Sequence, residues 1–225
     1  MQVKRTIEEV RALYPFAKEI EEQEDRFIVH LEEHIPIDGR IYRNKGVLFV
    51  LKPLGREAIL QRLSDFPKNL LDVVFGSLRN TKCLLAVKAQ AKALRKFLIL
   101  DGPAGVGKSV SAVWYMAYLL HKRLIHNPAY ISFVDLPDLK KVFDEYEQHD
   151  AYLLDDVIPN LLNEQLEKLL IVLIYHAEKE QKPLIITTND YDGLEKLFPE
   201  PILSRVYGSF TIIRVVDKDL RVKGL

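Results

Sequence analysis

The segment Leu98-Ile-Leu-Asp-Gly-Pro-Ala-Gly-Val-Gly-Lys-Ser-Val110 decides how this chain is read. Phe97 to Leu100 is an unbroken apolar run, as a strand buried on both faces requires. A loop carrying glycines runs from Gly102 to Gly107, and Val110 to Leu120 reads as a helix. Strand, G-x-x-x-x-G-K-S and helix in that order make the phosphate-binding loop pattern. The residue types are set by the chemistry: glycines let the backbone approach a polyphosphate, and N–H groups at a helix N-terminus attract the anion. The spacing predicts that Gly102, Pro103, Ala104 and Gly105 begin the wrap, and that Val106, Gly107, Lys108, Ser109 and Val110 carry it into the helix. Lys108 is expected on the β- and γ-phosphates and the Ser109 hydroxyl on Mg2+. The alternative is a glycine-rich turn that merely precedes Lys-Ser, and the flanking strand and helix weigh against it.

A chain of 225 residues suits one or two domains and can bury a substantial core. With 48% hydrophobic and 28% charged residues it reads as a globular protein, not a disordered one. Basic and acidic side chains balance at 32 each, so no global field draws the chain to nucleic acid and any such binding must come from a local patch. The single cysteine, Cys83, excludes an internal disulfide framework and a multi-cysteine zinc site. The first residues lack an apolar signal core, and no apolar run is long enough to span a bilayer. The expectation is a cytoplasmic protein with no membrane partner.

Beyond the loop, strand and helix patterns alternate: strand at 129–134, helix at 135–148, strand at 151–157, helix at 159–179, strand at 183–189. This predicts an α/β fold, a parallel sheet with helices on both faces, in which ligands sit at the carboxyl ends of the strands. Ala151-Tyr-Leu-Leu-Asp-Asp-Val157 is an apolar run ending in two carboxylates. Such a pair makes sense beside a cation that offsets its repulsion. Asp155 is expected to hold Mg2+, and Asp156 to orient or deprotonate the attacking water. Pro183-Leu-Ile-Ile-Thr-Thr-Asn189 ends in polar residues; Asn189, and Thr188 after it, are the candidates to touch the terminal phosphate or that water. Read alone, Thr-Thr-Asn-Asp is a turn and helix cap. A short helix at 199–206 places Arg205 on the surface, and 209–216 reads as a last strand. An arginine supplied by a neighbour can stabilise charge on a transferred phosphoryl group, although a lone arginine is ordinarily an ion-pair partner.

Residues 1–64 read as a small α+β appendage ahead of a core at 65–225. A helix is expected over 6–24, broken by Pro15, then strands at 26–31, 40–43 and 47–51 with turns at 36–39 and 44–46. His30 and His34 flank Glu32 and Glu33, but on a strand this spacing does not converge on a metal, and solvated or core histidines are the simpler account. The most useful assignment for this region is an adaptor for a partner protein. Helices are expected at 55–64, 69–75 and 78–96. The last carries Lys82, Lys88, Lys92, Arg95 and Lys96, a face that suits DNA phosphates or plain solvent.

Taken in order, Gly-Pro-Ala-Gly-Val-Gly-Lys-Ser, Phe133-Val-Asp-Leu-Pro-Asp-Leu-Lys140, Leu-Leu-Asp-Asp, Pro-Leu-Ile-Ile-Thr-Thr-Asn, Ile-Leu-Ser-Arg-Val and the late Asp219-Leu-Arg221 resemble the DnaC/DnaI/IstB branch of AAA+ ATPases. The resemblance covers residues 65–225. It implies that Lys108 and Ser109 bind ATP and Mg2+, that Asp155 and Asp156 are the Walker B pair, that Asn189 is sensor 1 and that Arg205 is the arginine finger. It also implies homo-oligomeric rings or spirals with ATP between subunits, which bind single-stranded DNA, load replicative helicases or assist transposition. Three features set the sequence apart. No C-terminal helical lid domain of the kind many AAA+ proteins carry is evident, as is common in this branch, leaving Arg214 and Arg221 as the late sensor 2 candidates. No arginine lies in Tyr175-His-Ala-Glu-Lys-Glu180. Asp156 stands where glutamate is commoner. The expected function is an ATP-hydrolysing replication protein similar to a helicase loader. The alternatives are a transposition helper like IstB, a small-molecule P-loop kinase and a weakly hydrolysing nucleotide-binding scaffold. A GTPase would need an Asn-Lys-x-Asp motif, and Asn44-Lys45 is followed by Gly-Val.

Overall fold

The computed structural model describes residues 6–15, 17–31, 35–37, 40–42, 47–135, 142 and 145–217. The chain forms two compact units: residues 1–56 with 121–123, and residues 57–120 with 124–225.

In the first unit, α1 (Ile7–Leu13) is started by a capping box. The Glu9 N–H donates to Thr6 Oγ1 at 3.2 Å while the Thr6 N–H donates to Glu9 Oε2 at 3.0 Å, satisfying two N–H groups that a helix end leaves open. The strands are β1 (Ala17–Glu22), β2 (Arg26–Leu31), β3 (Ile35–Ile37), β4 (Arg40–Tyr42) and β5 (Val47–Leu51). β1, β2 and β5 form an antiparallel sheet in that order, and β3 pairs with β4. Its core is Val10, Ile20, Phe27, Val29 and Val50. The helix expected over 6–24 therefore ends at Leu13, and the second half of that span is a strand. Ala17–Glu22 is rich in helix formers, but only Ile20 is buried, so there is no apolar stripe for a helix to bury. Pairing Ile20 with Val29 gives the segment both its backbone partners and its core contact. His34 and the turns at 38–39 and 44–46 lie outside the described residues. His30 meets Glu21 instead, with Nε2 and Oε1 2.9 Å apart, and Glu19 stands close by, all on the solvent side.

The second unit holds α2 (Arg56–Arg62), α3 (Lys68–Gly76), α4 (Lys82–Lys92), β6 (Phe97–Asp101), α5 (Lys108–His121), β7 (Pro128–Ser132), β8 (Ala151–Asp155), α6 (Glu164–Glu180), β9 (Leu184–Thr188), α7 (Tyr191–Leu197), α8 (Glu200–Ser209) and β10 (Thr211–Arg214). Five strands form one parallel sheet in the order β10-β6-β9-β8-β7. Phe97 and Ile99 face the cluster that includes Leu169, Leu170 and Leu173 of α6. Leu98 and Leu100 point the other way by strand alternation and are equally sealed from water, so β6 is covered on both faces.

Side-chain caps set helix limits that apolar periodicity alone does not. Thr81 Oγ1 accepts from the Leu84 N–H at 3.0 Å and starts α4 there, four residues later than expected. Asn163 Oδ1 accepts from the Leu166 N–H at 2.9 Å, so the helix expected over 159–179 divides into a short 3-10 turn, Pro159–Leu161, and α6. The helix expected over 135–148 lies largely outside the described residues; those within it show Val142 and Glu145 in helical conformation and a 3-10 turn at Tyr146–Gln148 near its end. α7 was not expected as a helix; Asp190 caps it by accepting from the Gly193 N–H at 2.8 Å. No described helix is long and apolar enough to cross a membrane.

Candidate functional site

The site is built where β6 runs out. Gly102 has φ 152°, and a Cβ placed there would lie 2.3 Å from the Val215 carbonyl oxygen, so a side chain has no room. Val215 crosses closely because its N–H donates to the Asp101 carbonyl at 2.8 Å. Gly105 and Gly107, at φ 78° and 89°, take the left-handed turns that other residues adopt at a cost. Pro103 and Ala104 are exposed along the loop, whereas Val106 turns inward and anchors it. α5 then begins at Lys108. The Lys108 ammonium is buried and donates to the carbonyls of Gly102 at 2.6 Å and Pro103 at 2.9 Å. Burial pushes its pKa down, against the opposing pull of Asp156, Cys83, Asp101 and Asp155.

Two strands away, β8 delivers the carboxylates. Asp155 is buried, with Oδ1 accepting from the Thr187 hydroxyl at 2.6 Å and Oδ2 from the Tyr130 hydroxyl at 2.8 Å. The Tyr130 phenol is pushed to a higher pKa by burial and then by the charge of Asp155, so it stays a donor. Its ring leans on Phe66 with centroids 5.4 Å apart. Asp156 turns out to solvent at φ 52°, a left-handed position that aspartate tolerates better than most residues. Its N–H donates to Thr187 Oγ1 at 2.9 Å, and the Val157 N–H donates to the Thr187 carbonyl at 2.9 Å. Thr187 therefore holds both ends of the carboxylate turn.

β9 lies between β6 and β8, and Asp101 is the register partner of Thr188. Thr188 is buried, and its Oγ1 accepts from the Asp190 N–H at 3.2 Å, so it shapes the turn. Asn189 is exposed at the strand end.

A cleft of about 690 Å³ opens beside the loop. Ala104, Gly105, Gly107, Lys108, Ser109 and Val110 form its floor, with Asp156 and Asn189 alongside. Asn69, Leu70 and Val73 of α3 and Arg79 from the connection to α4 form the facing wall. The structure thus brings most of the sequence-selected binding residues together with Asp156 and Asn189, and sets Asp155 behind them. Gly102, Pro103 and Val106 shape the loop from outside the cleft. Arg205 is elsewhere: on α8, it pairs with Glu178 of α6, and its guanidinium sits 4.7 Å over the Tyr175 ring. Arg214 pairs with Asp192 at 2.6 Å and approaches Asp101 at 4.0 Å, and Arg221 lies outside the described residues.

Sequence reasoning missed three contributors: Thr187, Tyr130 and the α3 wall. Thr187 sat unremarked beside Thr188. The pairing of β7 with β8, which puts Tyr130 near Asp155, has no local sequence mark. α3 was expected as a helix without a role.

The donor set suits a magnesium ion. Ser109 offers a hydroxyl at the cleft floor, and each Asp155 oxygen keeps a lone pair beyond the one its protein donor uses.

No family model matches the sequence, and no curated protein matches it. Solved structures match by shape. The DnaC helicase loader superposes with a TM-score of 0.51 at 17% identity, covering 67% of this chain and all (100%) of that one. A candidate primosome component from Streptococcus pyogenes serotype M3 gives 0.50 at 16% identity, over 74% and 99% of the two chains. DnaI gives 0.48 at 17% identity, over 74% and 93%. The second unit has the P-loop fold of the AAA+ type, a parallel five-stranded sheet flanked by helices.

Proposed function

We propose that this chain is an ATP-binding and hydrolysing AAA+ protein of DNA replication, of the DnaC/DnaI/IstB kind. The observation that carries the reading is the single cleft onto which Lys108, Ser109, Asp156 and Asn189 all open, with Asp155 held behind it. In this reading Lys108 and the loop N–H groups bind the phosphates, and Asn189 and Asp156 position the attacking water, Asp156 accepting its proton. Mg2+ would be held by Ser109 and, through water, Asp155, and would offset charge on the β- and γ-phosphates. Arg205 acts from a neighbouring copy in a ring or spiral, which accords with its position away from the cleft of its own chain. The assembly would act on a replicative helicase or on single-stranded DNA, with the first 64 residues as the adaptor segment.

The test is ATP binding and turnover by the wild-type chain, Lys108→Ala and Asp156→Asn. Lys108→Ala is expected to abolish binding. Asp156→Asn should bind ATP and fail to hydrolyse it, since asparagine keeps the left-handed backbone and loses only the charge. Equal ATP affinity in wild type and Lys108→Ala would refute the site. Binding with no turnover under any concentration or client would favour the nucleotide-binding scaffold. Co-purification of a helicase with the ATP-bound chain would support the loader assignment, and co-purification of a transposase would move it to the transposition helper.

A further inference from the structure

The facing wall of the cleft carries a cation that the loop motif does not account for. Arg79 lies in the connection between α3 and α4 and lines the same cleft as Lys108, Ser109, Asp156 and Asn189. Its root is fixed at both ends. The Ser77 N–H donates to the Val73 carbonyl at 3.1 Å and closes α3, and the Thr81 N–H donates to the Arg79 carbonyl at 3.0 Å just before α4 begins. Its guanidinium is exposed and, among the described residues, makes no hydrogen bond or ion pair.

Lys108, Arg214 and Arg205 already have partners. Two of the three N–H donors of Lys108 are spent on the carbonyls of Gly102 and Pro103. Arg214 is turned to Asp192 and Asp101, and Arg205 to Glu178. A nucleoside triphosphate brings several negative charges into a cleft whose described cations are Lys108 and Arg79. A guanidinium offers five donors in a planar fork that matches phosphate oxygens two at a time.

We infer that Arg79 is a phosphate-binding residue supplied by the same chain, a second cation on the polyphosphate from the wall opposite the loop. The inference rests on the nucleotide reading of the cleft. Neither Arg205 nor Arg214 lines this cleft in its own chain.

Titrations of the full chain with ATP, ADP, AMP and adenosine, with Mg2+ present, test it. Arg79→Ala is expected to weaken ATP about tenfold, a step of roughly 1.4 kcal/mol. The loss should shrink from ATP to AMP and vanish for adenosine. Arg79→Lys should recover part of it, because it keeps the charge and loses the fork. Thermal unfolding without nucleotide should be unchanged, since the exposed side chain makes no hydrogen bond or ion pair among the described residues. Unchanged ATP affinity in Arg79→Ala, beside lost binding in Lys108→Ala, would overturn this inference and leave the loop assignment standing. Equal weakening of adenosine and ATP would also overturn it, by placing Arg79 on the base or on the shape of the wall. Wild-type protein that fails to bind ATP would overturn the nucleotide reading and this inference with it.

Discussion

Thr187→Val should uncouple the carboxylate turn from the strand beside it. Thr187 is fully buried and its hydroxyl is used twice, donating to Asp155 Oδ1 at 2.6 Å and accepting from the Asp156 N–H at 2.9 Å. Valine is close in shape, so little cavity opens, but both partners lose their mate, the Asp155 oxygen in a buried place and the Asp156 N–H in a partly buried one. A hydrogen bond to a charged group contributes about 1.5–3 kcal/mol, and a neutral one about 1 kcal/mol. The added methyl returns up to about 0.8 kcal/mol. The net loss is about 2–3 kcal/mol, and for a chain of 225 residues each kcal/mol moves Tm by roughly 2–4 °C. Thermal unfolding by circular dichroism should therefore show a drop of about 5–10 °C without nucleotide. ATP turnover should fall much further than ATP affinity, because Asp155 and Asp156 shift while the loop does not. Thr187→Ser keeps the hydroxyl and should keep turnover, losing only the packing of one methyl. A Thr187→Val protein with wild-type Tm and wild-type turnover would refute the idea that this hydroxyl holds the turn.

The same geometry sets three other outcomes. Gly102→Ala should lose ATP affinity at least tenfold by calorimetry, because its Cβ would fall 2.3 Å from the Val215 carbonyl oxygen and either β10 or the loop must move; wild-type affinity would mean that the loop yields freely. Tyr130→Phe removes the donor at Asp155 Oδ2, 2.8 Å away, so the Mg2+ concentration giving half-maximal turnover should rise several-fold while Mg2+-free ATP binding stays constant; an unchanged Mg2+ dependence would remove Tyr130 from the site. Arg205→Ala should bind ATP normally and hydrolyse it slowly, and mixing with Asp156→Asn chains should restore turnover; if Glu178→Ala gives the same defect and mixing restores nothing, Arg205 is a structural ion-pair partner only.

The parts of the fold legible in the sequence were those with a local cause. The loop announced itself through glycines whose backbone angles only glycine holds easily, and three of the sheet strands, β6, β8 and β9, through apolar runs sealed on both faces. Asp155 and Asp156 were legible as a pair, but their different surroundings were not. One is buried between Thr187 and Tyr130 and the other turned to solvent, and both donors come from other strands. β1 was hidden because its residues favour a helix in isolation and only pairing with β2 makes it a strand. The start of α6 was hidden behind continuous apolar periodicity, although Asn163, a good cap, stood at the break. The α3 wall had no sequence mark at all, since it depends on where the chain returns to the loop.

The sheet order explains why the arginine on α8 and the cleft behave as separate parts. β9 is the neighbour of both β6 and β8, so one strand end ties the loop to the carboxylates. Thr187 reaches β8 through its hydroxyl, and the Tyr191 N–H, just beyond β9, donates to Asp101 Oδ1 of β6 at 3.2 Å. Thr187 lies on this tie, which is why Thr187→Val should alter both stability and chemistry. α8 is not on the tie. It packs on α6, and Arg205 is positioned by Glu178 and Tyr175 of that helix. Its guanidinium can therefore be removed with the cleft left intact, and loss of turnover at constant ATP affinity then reports on where Arg205 acts.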